Sequence, residues 1–256
     1  MIPATGARVC GSLQERAVVR ARLALVVAHP DDETVGAGGS LHLMPELLIV
    51  QVTDGAPRGL DDMARAGFAT PRAYAAAREA EVQDALRVAG VAPDRVHLDI
   101  PDQDAAMHVA DVAAALRALF SRHGTEAVIT HAYEGGHPDH DAVAFAVHAA
   151  AGDRAVVEYP SYRAGPDGMV VQRFLPGPPE TLVRLRAAEL RRKRVMLACF
   201  RTQASIMAWF SSEEERFRPA PRQDWTRPPH RGPLNYETWG WNMTGARWRE
   251  QVACAC

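Results

Sequence analysis

Lysine is almost missing from this 256-residue sequence: of its 29 basic residues only Lys193 is not arginine. With the abundant alanine, that skew points to a GC-rich bacterial genome rather than to any chemistry. Cysteine is scarce too, with Cys10, Cys199, Cys254 and Cys256 forming no C-x-x-C pair. A disulfide framework is therefore not expected, and the cysteines read as reduced thiols of a cytoplasmic protein. The terminal Cys254-Ala-Cys256 pair is unanchored and says little about metal binding. No apolar run approaches the roughly 20 residues of a membrane span. Residues 23–28 are too short for a signal-peptide core and lead into a polar motif rather than a cleavage site. An excess of charge of one sign is also lacking. The formal net charge of -2 leaves no electrostatic footprint for a nucleic acid.

What is present is an ordinary globular composition, 47% hydrophobic and 23% charged. A chain this long buries roughly three quarters of its unfolded surface and needs no staple to fold. Short apolar runs at 23–28, 47–53, 96–100 and 127–131 read as buried strands. Helical patterns lie between them at 71–89, 106–122 and 139–150, with Gly90 and Gly152 as stop signals. Further strands are expected at 156–159 and 169–174. Residues 1–21 read as a polar lead-in with a short helix around 14–20, and the glycines at 36–39 as a turn opening a helix.

Repeated strand–helix units predict an α/β fold, a Rossmann-like three-layer sandwich around a mostly parallel sheet. Ligands of such sheets sit at the carboxyl ends of the strands. After Pro176 the character changes. Residues 189–201 form a basic amphipathic helix, a candidate homo-oligomer interface. The Arg- and Trp-rich stretch 211–256 has little periodicity. The expected division is a domain over 1–210 with 211–256 packed on it as an extension.

Two polar motifs begin where predicted strands end. The first is Ala28-His29-Pro30-Asp31-Asp32-Glu33-Thr34. Adjacent buried carboxylates repel each other unless a cation or proton relieves them. An imidazole beside them makes a zinc site a natural reading. A helix N-terminus would explain one or two of the acids, but not the histidine and proline. The second motif is Gly136-His137-Pro138-Asp139-His140. A lone histidine is commonly a satisfied structural residue. Two His-Pro-Asp segments on one edge of a parallel sheet instead predict convergence on a metal.

With both motifs intact, the chain resembles the PIG-L/LmbE-like family of zinc-dependent de-N-acetylases of N-acetylglucosamine-bearing substrates. Softer matches are Thr53-Asp54-Gly55, Arg78-Glu79-Ala80-Glu81, the segment from Leu98 to Asp102, and Thr202-Gln203. The resemblance covers about residues 22–203. It implies Zn2+ held by His29, Asp32 and His140, with Asp31 as general base and His137 stabilising the reacting carbonyl. It further implies hydrolysis of an N-acetyl group on a small-molecule amino-sugar conjugate.

Other residues keep two readings. Asp139 orients His137 or caps the following helix. Glu33 supports the site or caps a helix. Arg78 lines the cleft or pairs with Glu81 on a surface. Asp102 binds sugar hydroxyls or is a turn acid, and His131 and Tyr133 line the pocket or are structural. Two rival functions are weaker. Gly36, Gly38 and Gly39 begin a dinucleotide fingerprint, but Leu41 stands where its third glycine belongs. A non-catalytic sugar-binding member of the fold has no need of a base beside an open metal position.

Overall fold

The computed structural model describes residues 2–255. The helices are α1 Ile2–Glu15, α2 Asp32–Ala37, α3 Leu60–Arg65, α4 Pro71–Ala89, α5 Val109–His123, α6 Pro138–Ala151, α7 Ala187–Leu197, α8 Ala204–Met207, α9 Asn235–Thr238 and α10 Gly245–Cys254. The strands are β1 Leu23–Val27, β2 Leu47–Pro57, β3 Asp94–Asp102, β4 Ala127–His131, β5 Ala155–Tyr159, β6 Tyr162–Gly165, β7 Gly168–Val171, β8 Thr181–Arg184 and β9 Glu214–Pro219. Seven strands form one sheet in the order β3-β2-β1-β4-β5-β9-β8. β1 to β5 are parallel, while β9 runs antiparallel to both β5 and β8. β6 and β7 form a separate hairpin.

Strand periodicity feeds two cores. Leu23, Leu25 and Val27 of β1 enter one apolar cluster with α1 and α4 residues. Ala24 and Val26 enter the other, with α5, α6 and α10 residues. The strand order reverses between β1 and β4, which opens a crevice at their carboxyl ends. Both His-Pro-Asp motifs start there.

Three local expectations are corrected. The N-terminal helix covers Ile2–Glu15 rather than 14–20, and Val9, Cys10 and Leu13 bury into the core. Gly6 and Gly11 mask that apolar stripe in the sequence. The glycines after residue 35 close a helix instead of opening one, because α2 begins on the motif itself. A Cβ at Gly36 would come within 2.6 Å of the Tyr159 ring, so close packing requires glycine there. Residues 168–171 join the hairpin and not the main sheet.

Among the described residues Cys10, Cys199 and Cys254 carry no disulfide; Cys256 lies outside them. No helix among them is long and apolar enough to cross a membrane. The segment beyond residue 210 supplies β9 to the sheet, and its Leu234, Tyr236, Met243, Trp248 and Val252 complete the α5/α6 core.

Candidate active site

β1 ends at Val27 and β4 at His131, and the loops that follow bring His29, Asp32 and His140 together. His29 Nδ1 lies 3.1 Å from His140 Nε2 and 3.3 Å from an Asp32 oxygen, and His140 Nε2 is 3.4 Å from the other. Zinc bound at its usual bond lengths in a tetrahedron needs donor atoms about 3.3 Å apart. Each pair lies near that spacing, Asp32 turning one oxygen to His29 and the other to His140, and one donor atom from each residue lies within 4.8 Å of the others.

The same side chains are strongly coupled electrostatically. Burial opposes protonation of His29, yet the carboxylates around it, Asp102 foremost, hold the ring well above its ordinary range. Burial would raise Asp32, but His140 and His131 hold its carboxylate well below the usual range. A second group, His29, Asp102, His137 and Asp139, also clusters closely. Both of its Asp139 oxygens already accept backbone N–H groups, where Asp32 uses only one that way, so it suits a metal less well.

The first motif is held by its own acids. The Asp32 carboxylate accepts from His29 N at 2.7 Å, and Glu33 accepts from Asp31 N and the Thr34 hydroxyl. Glu33 is thereby a loop support. Asp31 adopts φ 141° and ψ -27°, a strained conformation for a residue with a Cβ, costing on the order of 1–3 kcal/mol. Arg78 secures it: one guanidinium nitrogen donates to Pro30 O and to Asp31 Oδ2, the other to Gly55 O. The pairing of Arg78 with Glu81 expected on a surface does not occur. Glu81 instead accepts from the backbone and hydroxyl of Thr202. Burial pushes Asp31 up to about 8 against the pull of Arg78.

His137 accepts from the Asp139 backbone N–H through Nδ1 at 3.1 Å. Burial, reinforced by His29, pushes its pKa well down. The ring is then neutral, with its proton on Nε2. The Gly136 backbone packs so closely on the Tyr162 carbonyl that a Cβ would collide with it.

Asp139 neither caps α6, whose N-cap is His137, nor bonds the His137 ring as closely as expected. It is 0% exposed. It accepts from Gln103 N and Ala105 N and lies 3.3 Å from His29 Nε2. It is a positioning residue for His29 and for the turn after β3. Asp102 lies 3.2 Å from the same His29 nitrogen.

A cleft of about 820 Å³ opens over this cluster. Asp31, Arg78, Asp102, His137, His29, Asp32 and His140 all line it, with Thr202 and Gln203. Tyr133 does not. Its ring packs on Trp225 and Trp248 and its hydroxyl donates to Arg227 O, because the loop after β4 turns that side chain toward the α5/α6 core. His131 is buried and stacks on His140 with ring centroids 4.1 Å apart. Its Nε2 accepts from Ala28 N.

The cleft has an aromatic wall formed by Tyr162, Trp209, Phe210, Trp239 and Trp241. Trp239 and Trp241 belong to the Trp-rich stretch set apart in the sequence, whereas Tyr162, Trp209 and Phe210 were not singled out there. That stretch also clasps the second motif: Asn235 N donates to Gly135 O, Trp248 Nε1 to Pro138 O and Tyr236 to Asp141.

Fold and site together define an α/β protein with a metal-binding His/Asp/His cluster at the switch point of a parallel sheet. The model of the PIG-L family, described as GlcNAc-PI de-N-acetylase, matches residues 24–151. The chain belongs to that family.

Solved structures share the fold. A deacetylase of the teicoplanin biosynthesis pathway is 19% identical with a TM-score of 0.63, over 79% of this chain and 99% of that one. N,N'-diacetylchitobiose deacetylase from Pyrococcus horikoshii is 17% identical with a TM-score of 0.54, over 84% and 90%. The 4-carboxy-2-hydroxymuconate hydratase from Pseudomonas putida KT2440 is 19% identical with a TM-score of 0.52, over 73% and 82%. No curated protein matches in sequence.

Proposed function

We propose that this chain is a zinc-dependent N-deacetylase acting on the amino sugar of a larger conjugate, with N-acetylglucosamine as the expected sugar. Membership in the PIG-L family and likeness to two deacetylases support the reaction. The hydratase neighbour is a reminder that this fold hosts other chemistry, so the site must carry the argument. The observation that carries it is the convergence of His29, Asp32 and His140, one donor atom from each within 4.8 Å of the others, with Asp31 held in a strained conformation beside them.

His29, Asp32 and His140 would hold the zinc, and three protein ligands leave a coordination position free. Zinc in such a site polarises a carbonyl oxygen and lowers the pKa of water towards about 7. Asp31, locked by Arg78, takes the proton of the attacking water as the C–O bond forms. A nearby cation would draw its pKa back down, favouring the ionised base. The His137 Nε2–H donates to the carbonyl oxygen as negative charge develops on it. Asp31 then returns the proton to the sugar nitrogen as the C–N bond breaks. One water is consumed, and acetate and a free amine are produced.

The purified protein should contain close to one zinc per chain by elemental analysis. Acetate release from an N-acetylglucosaminyl conjugate should stop on chelation. Asp31→Asn should keep the metal and lose turnover by roughly 10²–10⁴-fold; undiminished turnover removes Asp31 from the role of base. Water addition across a double bond without acetate release would instead place the chain with the hydratase.

A further inference from the structure

The aromatic wall begins on the catalytic residues and runs outward. The Trp241 ring lies 4.6 Å from His137 and the Tyr162 ring 5.6 Å from His140, centroid to centroid. From there Trp241 meets Trp239 at 5.1 Å, Trp239 meets Tyr162 at 5.8 Å and Trp209 at 6.0 Å, and Tyr162 meets Phe210 at 6.3 Å. All five rings line the cleft, and none lies in residues 24–151 that match the family model.

The backbone that carries four of these rings is tied by local hydrogen bonds. Trp209 N bonds Ile206 O, Phe210 N bonds Met207 O, Trp239 N bonds Asn235 O and Trp241 N bonds Tyr236 O. Of the large hydrophobic residues exposed among the described residues, Trp239 alone is aromatic, at 40%. Leaving an indole in water forgoes the favourable transfer of its large apolar area. Here the exposed ring stands at the cleft and not on a distant surface.

We propose that this wall is a subsite for a flat ring with an apolar face, attached to the amino sugar on its non-reacting side. The inference rests on the deacetylase reading. The occupant follows from continuity with the site: a group reaching the wall is joined to the atoms that His137 and Asp31 handle. The cleft volume falls in the range of about 300–1,000 Å³ that holds drug-sized ligands, which leaves room beyond one acetamido sugar. Offset stacking on indole faces favours a planar partner over a flexible chain. An aryl group and a second sugar ring both present such a face. The aryl group is the expected occupant, because its whole surface is apolar.

Equilibrium binding tests this without turnover. Tryptophan fluorescence of the zinc-loaded Asp31→Asn protein is titrated with the methyl glycoside of N-acetylglucosamine, its phenyl glycoside and the methyl glycoside of its disaccharide. The phenyl glycoside should bind about tenfold tighter than the methyl glycoside. Trp239→Ala should bring that ratio close to one, whereas Val195→Ala on α7, an exposed apolar residue outside the cleft, should not. A tenfold preference for the disaccharide alone would overturn the aryl assignment. Equal affinity for all three, or a phenyl preference that survives in both Trp239→Ala and Trp209→Ala, overturns the subsite. Acetate release by the unmutated enzyme, assayed separately on the methyl glycoside, reports on the deacetylase reading by itself.

Discussion

Asp102 stands 3.2 Å from His29, 3.7 Å from His137 and 3.8 Å from Arg78, so one carboxylate faces the proposed metal ligand, the proposed oxyanion donor and the clamp on the proposed base. Its partners hold it well below the usual carboxylate range, although burial pulls the other way. Such a carboxylate fixes the tautomer of a ligating histidine and raises its basicity. Asp102→Asn should therefore weaken metal binding by roughly 10–100-fold, read by competition with a chromophoric chelator. Unchanged affinity would show that Asp139, the other acid on His29 Nε2, suffices alone.

The His29/Asp32/His140 cluster was legible in the sequence because each motif is a contiguous segment at a strand end. Asp139 was misread for the same reason. It meets His137 through its backbone N–H, while the partners of its carboxylate, His29, Gln103 and Ala105, come from distant loops.

At the scale of elements, α10 and the second motif behave as one packed unit. Trp248 is fully buried, touches Tyr133 and Trp225, and donates to Pro138 O. Trp248→Ala should cost about 3–5 kcal/mol, measured by denaturant unfolding. Trp248→Phe should cost less, since most of the apolar area survives.

α6 carries a second test. Burial pushes His148 down to about 4 from an ordinary 6.5. Below pH 6.5 the unfolded chain takes up a proton that the folded one refuses until about pH 4. Stability from this group is thus full above 6.5 and drains away between 6.5 and 4. His148→Phe should flatten that part of the pH–melting-temperature profile, and an unaltered profile would refute the assignment.

β9 escaped the sequence because EERFRP reads as a solvated stretch. Its charges are offset in the fold by buried partners: Glu215 takes Lys193, and Arg218 takes Glu158. Hydrophobic patterning does not register strands whose burial rests on ion pairs. The assembly of the five rings was not legible for a related reason, since no periodicity links positions 162, 209, 210, 239 and 241.

For the whole molecule, a metal that binds the folded chain and not the unfolded one stabilises by mass action, about 4 kcal/mol at a thousandfold excess over its dissociation constant. Chelation should lower the calorimetric melting temperature of the zinc-loaded protein by several degrees, and restoring zinc should reverse it. A transition indifferent to chelator would mean that the His/Asp/His cluster holds no metal in the folded protein.

The parallel half of the sheet follows from repeated strand–helix units, and its order places the cleft. Closing its other edge depends on residues 214–219 sliding in between β5 and β8. α1 packs on β5, β8 and β9, so that helix has no complete seat until β9 has emerged from the ribosome. During synthesis the free edge of β5 is an unpaired strand, open to pairing with another nascent chain. The antiparallel strand that completes the sheet is therefore also the step that ends the molecule's exposure to aggregation.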